Sequence, residues 1–133
     1  MKHLSLAVVG ADFPNKKGPA RRFEIAMCSP GEPVSLIAEP KNPADPQAIA
    51  VYSMRGVQIG YIRAERCQMI HTAMRRASVH AVFQQSDRWG ATIRAHLDGT
   101  EAVLPDPIDS RAADWPPPGS EEADWWPDED WPD

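Results

Sequence analysis

The chain has few cysteines and no long apolar run. Only Cys28 and Cys67 occur among its 133 residues, too few for the disulfide framework of a small secreted domain. No apolar run reaches the roughly 20 residues that cross a membrane. The apolar start, residues 4–9, lacks a small-residue cleavage site, so we interpret it as a first strand rather than a signal peptide. These absences predict a cytoplasmic protein with free thiols.

Motifs of catalysis are also lacking. The sequence contains no glycine-rich phosphate loop, nucleophile elbow or HExxH pair. Cys67 and His71 lie four residues apart on a predicted helix and could begin a zinc site, but no second pair has suitable spacing, which favours packed core residues. Asp12, Glu39 and Asp45 are interpreted as scattered loop carboxylates rather than an acid–base group. We therefore expect no enzymatic activity, metal or cofactor.

Basic residues are almost missing from the end of the chain. Residues 105–133 contain one arginine against ten acidic residues, a net charge of −9, whereas residues 1–104 contain 13 lysines and arginines against nine acidic residues, a net charge of +4. Hydrophobic periodicity stops at residue 105, and the rest is too rich in proline and carboxylates to pack. We predict a domain over residues 1–104 and a disordered acidic tail over residues 105–133.

The tail nevertheless carries four of the five tryptophans. These are Trp115, Trp125, Trp126 and Trp131. Carboxylates with indole rings resemble the anionic backbone and flat bases of a DNA strand, so the tail could fold back as a competitor for a DNA site. A free solubilising tail and a segment that docks a protein partner are the alternatives.

Apolar periodicity predicts a mainly β domain. We predict strands over residues 4–9, 21–28, 33–38, 47–53, 57–62, 79–85 and 91–97, and one helix over residues 63–78. In the second strand, Phe23, Ile25 and Met27 alternate with polar residues. Because an open sheet of this size would leave sticky edges, the pattern favours a small barrel or a strongly curled sheet.

Three prolines in seven residues, Pro40, Pro43 and Pro46, make residues 39–46 a rigid, non-helical elbow. Asn42 and Asp45 lie between them, where short polar side chains cap local backbone amides. The elbow leads into a predicted hairpin with a turn at residues 55–56. We expect the functional site here.

Cations and aromatics flank the elbow and the first loop. They are Lys16, Lys17, Arg21, Arg22, Lys41 and Arg63, with Phe13 and Tyr61 in the same segments. Cations interleaved with rings suit single-stranded nucleic acid, because the cations follow phosphates and the rings stack on bases. From charge alone, a solvated surface explains these cations equally well.

The elbow and hairpin, EPKNPADPQAIAV followed by GVQIGYI, resemble the HIRAN domain, a family that occurs as single-domain bacterial proteins and on replication-fork-remodelling translocases. The resemblance covers residues 4–100. It implies an OB-like β-barrel of six or seven strands with one helix, and a non-enzymatic pocket that captures the 3′ end of single-stranded DNA, with a function in DNA repair.

The resemblance also assigns roles to single residues. Asp45 matches the acid that accepts a hydrogen bond from the terminal 3′-hydroxyl, and Asn42 matches a residue beside the sugar and phosphate. Phe13 matches a ring that stacks on a base. Tyr61 and Arg63 match a polar ring and a cation near the DNA backbone.

Two positions depart from the family pattern. Ala44 stands where well-studied DNA binders have an aromatic residue, and Asp12 replaces a basic residue. Loss of a stacking ring costs about 1–3 kcal/mol per base, so these departures favour an alternative function, a protein-interaction adaptor whose acidic tail docks a partner. A nuclease would need a metal–carboxylate cluster, which the sequence does not contain.

Overall fold

The computed structural model describes residues 3–88 and 90–104. The strands are β1 (His3–Val9), β2 (Pro33–Ala38), β3 (Ile49–Tyr52), β4 (Gln58–Ile62), β5 (His80–Asp87) and β6 (Gly90–His96), and the helices are α1 (Arg21–Met27) and α2 (Ala64–Arg76). Neither helix has the length and apolar character that a membrane crossing needs. The predicted tail, residues 105–133, lies outside the described residues.

The six strands form a closed antiparallel barrel in the order β1-β4-β3-β2-β5-β6. Closure leaves no edge strand, which is how small β domains avoid edge-to-edge aggregation. The largest fully buried side chains are Phe83, Leu6, Ile49, Ile59, Ile62, Ile70 and Ile93. They fill the barrel and the space under α2. The predicted mainly β, OB-like barrel is confirmed.

The segment after the first loop is a helix, α1, and not the strand that its alternation predicts. Its inward residues are Arg21, Glu24 and Ile25, at the i, i+3, i+4 spacing of a helix. Phe23 and Met27 are 59% and 53% exposed. Because two of the three inward residues are charged, they give no apolar signal, and the exposed pair imitates a strand. The prediction of one helix is wrong, since the domain has two.

A buried carboxylate explains why α1 turns charged residues inward. The Glu24 side chain is only 4% exposed. Its Oε2 accepts hydrogen bonds of 2.6 Å from Ser53 Oγ and from Arg55 Nε. Both donors belong to the turn between β3 and β4, so this network fastens α1 to that turn. An unpaired charge here would be costly, because breaking a buried pair costs about 3–5 kcal/mol.

Gly60 lies where the backbone of β1 approaches β4 closely. A Cβ at this position would lie 2.3 Å from the Val9 carbonyl oxygen and 2.7 Å from Val8 Cγ1. The backbone φ of Gly60 is +156°, which L-residues with a side chain rarely adopt. The glycine therefore allows the first strand to pair with β4 and close the barrel.

We predict that Gly60→Ala lowers the free energy of unfolding by about 2 kcal/mol or more, because the added methyl group overlaps the β1 backbone. Gly31→Ala is the matched control, since its φ is +93° and a Cβ there meets nothing within 4 Å. Urea denaturation of both variants compares the stability lost when a methyl group is added at a positive φ, with and without a steric clash against β1. Equal losses of stability would contradict the close-approach explanation.

Candidate nucleic-acid interface

A groove of about 910 Å³ opens between the first loop, the elbow and the hairpin of β3 and β4. Its lining residues are Pro14, Asn15, Lys16, Lys17, Gly18, Arg21, Glu39, Pro40, Lys41, Asn42, Pro43, Tyr52, Gly56, Val57, Gln58 and Tyr61. The two segments that the sequence marks as basic therefore meet at one concave surface, although Lys17 and Lys41 lie 24 positions apart along the chain.

The elbow is held in shape by its own side chains. Asn42 Oδ1 accepts hydrogen bonds from the backbone amides of Ala44 and Asp45, at 2.9 and 3.2 Å. Asp45 Oδ1 accepts one from the Gln47 amide at 2.8 Å. These are the local caps that the sequence predicts for short polar residues between prolines. The elbow is thus a preorganised wall of the groove.

Glu39 connects the elbow to the barrel. Its Oε1 accepts hydrogen bonds from Tyr61 Oη at 2.8 Å and from Asn42 Nδ2 at 3.0 Å. Burial raises the pKa of Tyr61, and donation to the Glu39 carboxylate raises this pKa further. The tyrosine hydroxyl therefore stays protonated at neutral pH and keeps its role as a donor.

Arg21 organises the first loop from beneath. Its side chain is buried, with Nε donating to Asn15 Oδ1 and Nη1 donating to the Gly10 carbonyl, both at 2.9 Å. Asn15 Nδ2 in turn donates to the Gln58 carbonyl at 3.0 Å. The Arg21 guanidinium lies 5.5 Å from the centre of the Tyr61 ring, a cation–π distance. Arg21 reaches the groove but also serves as a structural cation.

Three exposed cations surround the groove. They are Lys16, Lys17 and Lys41. Within residues 3–88 and 90–104, none of these lysines makes an ion pair. Ammonium groups in this position are available to an anionic ligand. Tyr52 and Tyr61 also line the groove, Tyr52 half-buried and Tyr61 only 7% exposed.

The groove brings together six of the ten residues that the sequence predicts for DNA binding. They are Lys16, Lys17, Arg21, Lys41, Asn42 and Tyr61. Phe13 lies beside the groove, half-buried against a small cluster on the outer wall of the barrel that includes Val9 and Tyr61. Asp45 is at the far end of the elbow, beyond the lining residues.

The other two predicted residues are engaged elsewhere. Arg22 pairs with Asp12, and Arg22 Nη2 lies 3.4 Å from the Arg88 carbonyl. The hydrogen bond from Arg22 lowers the pKa of Asp12, so this departure from the family pattern is balanced by a cation. Arg63 donates to Glu65 at 2.6 Å, and its side chain is only 11% exposed.

The lining residues with polar side chains that the sequence analysis did not assign to the site are four, Asn15, Glu39, Tyr52 and Gln58. Glu39 stands at the first position of the elbow, but an isolated loop carboxylate resembles many solvated ones. Asn15 acts through contacts with Arg21, six positions away, and with Gln58, 43 positions away. Its position in a loop of glycine, proline and lysine gives no signal beyond that of a turn.

Comparison with known proteins agrees with this geometry. A family model, the HIRAN domain, matches residues 3–91, more than half of the chain. The chain belongs to the HIRAN domain family. The HIRAN domain is a DNA-binding module and is not itself catalytic. Among curated protein sequences, none matches this chain significantly.

Two solved structures share the HIRAN fold of this chain. The crystal structure of the HIRAN domain of human HLTF is 24% identical, with a TM-score of 0.52, and the match covers 71% of this chain and 72% of that one. A protein from Lactobacillus plantarum is 20% identical, with a TM-score of 0.54, and the match covers 72% of this chain and 93% of that one. At these identities the likeness concerns the fold.

We predict that Glu39→Ala lowers the free energy of unfolding by about 2 kcal/mol, because it leaves two partly buried donors without their acceptor. Glu39→Gln keeps an acceptor oxygen and should cost less than half as much. Chemical denaturation measures both losses, and hydrogen exchange of the elbow amides reports whether the elbow loosens. Wild-type stability and exchange in Glu39→Ala would contradict the connecting role of this carboxylate.

Proposed function

We propose that this HIRAN domain binds single-stranded DNA in the groove between the first loop and the elbow, with a preference for a free 3′ end. The observation that carries the proposal is the group of three exposed lysines, Lys16, Lys17 and Lys41, around a concave surface that also contains the half-buried ring of Tyr52. Cations that follow phosphates beside aromatic surfaces are the usual means of binding single strands.

The size and shape of the groove support a strand end rather than a duplex. Its volume of about 910 Å³ is at the upper end of the range for small-molecule sites, about 300–1,000 Å³, which suits a few nucleotides. The fixed elbow wall lowers the entropy cost of binding, because little needs to be ordered when the ligand arrives.

The lysines provide the first test. We predict that the combined change of Lys16, Lys17 and Lys41 to alanine weakens binding of a single-stranded oligonucleotide at least tenfold at low salt. The slope of log K against log salt should also fall, by about 0.7 for each phosphate contact that is lost. Fluorescence anisotropy at several salt concentrations measures both.

The matched control changes Arg66, Arg75 and Arg76 of α2, which lie outside the groove, to alanine. It removes the same charge, so general attraction falls equally in both variants. Equal binding and equal slopes in the two triple variants would mean that the groove is not the DNA site.

Asp45 is the candidate for recognition of the 3′-hydroxyl. Its Oδ1 caps the Gln47 amide, and its Oδ2 has no hydrogen-bond partner within the described residues. A carboxylate accepts from a hydroxyl, whereas it repels a terminal phosphate. We expect about tenfold tighter binding of a 3′-hydroxyl end than of a 3′-phosphate end, the equivalent of one hydrogen bond to a charged group.

Asp45→Asn should abolish this preference and keep the elbow, because its Oδ1 still caps the amide. Asp12→Asn is the control, since it removes one negative charge outside the elbow and should leave the preference unchanged. Anisotropy with paired oligonucleotides that differ only at the 3′ end measures the ratio. A ratio near one in the unchanged protein would contradict end recognition.

A protein-interaction adaptor is the second candidate function. Asp45 lies beyond the lining of the groove, and Ala44 is exposed with no ring to stack on a base. Both features favour weaker binding of DNA, or binding of a different ligand. In this alternative the acidic tail, residues 105–133, docks a protein partner while the barrel acts as a scaffold.

Removal of the tail distinguishes the candidate functions. We propose that residues 105–133, with net charge −9, compete for the groove, since a tethered segment has roughly millimolar effective concentration. Truncation after Leu104 should then tighten DNA binding several-fold at low salt, and the gain should shrink as salt screens the charges. Equal DNA binding with and without the tail would contradict competition and favour a free solubilising tail or one that docks a protein partner.

A further inference from the structure

Three histidines face one another across neighbouring strands at the end of the barrel away from the groove. His3 of β1 pairs in register with His96 of β6, and His96 pairs in register with His80 of β5. Residues directly opposite in antiparallel strands project to the same face of the sheet. The register therefore forms a row of three imidazoles on the outer wall, and Asp98 follows His96 by two residues.

Three of these groups already converge. The rings of His3 and His96 stack with centroids 3.6 Å apart and an interplanar angle of 7°. His3 Nε2 lies 2.9 Å from Asp98 Oδ2. One ring nitrogen of His3, one of His96 and a carboxylate oxygen of Asp98 all lie within 4.8 Å of one another. No other group of three such side chains in residues 3–88 and 90–104 comes this close.

The hydroxyl of Thr100 lies between these groups. Its Oγ1 donates to Asp98 Oδ1 at 2.6 Å and lies 3.0 Å from His96 Nδ1 and 3.3 Å from His3 Nε2. The backbone amide of Thr100 also donates to Asp98 Oδ1, at 3.1 Å. Thr100 thus orients the carboxylate of Asp98, and its hydroxyl lies within hydrogen-bond distance of both imidazoles.

We propose that His3, His96 and Asp98 bind a zinc ion, with His80 as the fourth ligand. Imidazole and carboxylate are the nitrogen and oxygen ligands that Zn²⁺ takes in tetrahedral sites. Bonds of about 2.0–2.1 Å place tetrahedral ligand atoms roughly 3.3 Å apart, so the ligand atoms of His3, His96 and Asp98, which lie within 4.8 Å of one another, must approach by at most about 1.5 Å. Rotation of the exposed His3 ring supplies this movement and ends the stacking.

The ion would act as a structural clamp. β1 runs from His3 to Val9, and six residues of strand span about 20 Å, so the site is far from the groove beside Tyr61. It would join the beginning of β1 to the segment that leaves β6, where Thr100 and Ala102 lie. The sequence analysis expected no metal, because the pair Cys67 and His71 has no second pair of suitable spacing. His3 and His96 gave no signal, since 93 positions separate them.

The test uses the full chain, free of any affinity tag, with Zn²⁺ and Co²⁺ as the metals. Isothermal titration should give one Zn²⁺ per chain, and Co²⁺ should give the visible absorption of a tetrahedral ion. Because a ligand that binds only the folded state stabilises it, Zn²⁺ at 100 times its dissociation constant should raise the melting temperature by about 10 °C or more.

Variants of the ligands make the proposal falsifiable. His3→Asn and Asp98→Asn change exposed or half-exposed side chains and should each weaken Zn²⁺ binding at least tenfold. Thr100→Val should weaken it less, because it removes only an orienting contact. His71→Asn, on α2, is the matched control and should bind as the unchanged protein does. His80→Asn should keep binding but change the Co²⁺ spectrum.

Three results would overturn the site. They are no stoichiometric binding of Zn²⁺ by the folded chain, undiminished binding in Asp98→Asn even where His3→Asn loses it, and undiminished binding in His3→Asn. Unchanged DNA binding in the His3 and Asp98 variants is expected, because the groove lies at the other end of β1.

Discussion

The carboxylate of Glu39 is the contact on which the groove depends. One of its oxygens accepts from Asn42 in the elbow and from Tyr61 in the barrel wall. Backbone hydrogen bonds between the elbow and Ala48 hold the ends of the proline-rich segment, and the Glu39 carboxylate adds the side-chain contact that fixes it to β4. The elbow is stiff because of its prolines and correctly placed because of Glu39, and a preorganised site needs both properties.

The cations of the domain divide into two sets. The described arginines of the first loop and the hairpin, such as Arg21 and Arg55, make fixed contacts with carbonyls, carboxylates or rings, as their planar, fork-shaped groups favour. The lysines of the groove are exposed and have no ion pairs within the described residues. Structure and ligand binding thus use different cations, so a groove lysine can be removed without unfolding the barrel.

Much of the fold could be predicted from the sequence, because strand alternation and helix periodicity report which residues face the core. Prediction failed at α1, where Arg21 and Glu24 face inward. Arg21 donates to the Gly10 carbonyl, 11 positions away, and Glu24 accepts from Ser53, 29 positions away, so neither contact is visible in the local sequence. The elbow was predictable, since its prolines and caps act locally. The role of Glu39 was not, because its partner Tyr61 comes from a different strand.

Gly60 explains part of the HIRAN sequence pattern by the fold alone, without reference to ligand binding. The second glycine of GVQIGYI is required by the distance between two backbones at the seam of the barrel, and no ligand enters that requirement. A chain that changed its ligand would still need this residue in order to close. The pattern therefore indicates a closed barrel, whereas the side chains that face the groove determine which ligand binds.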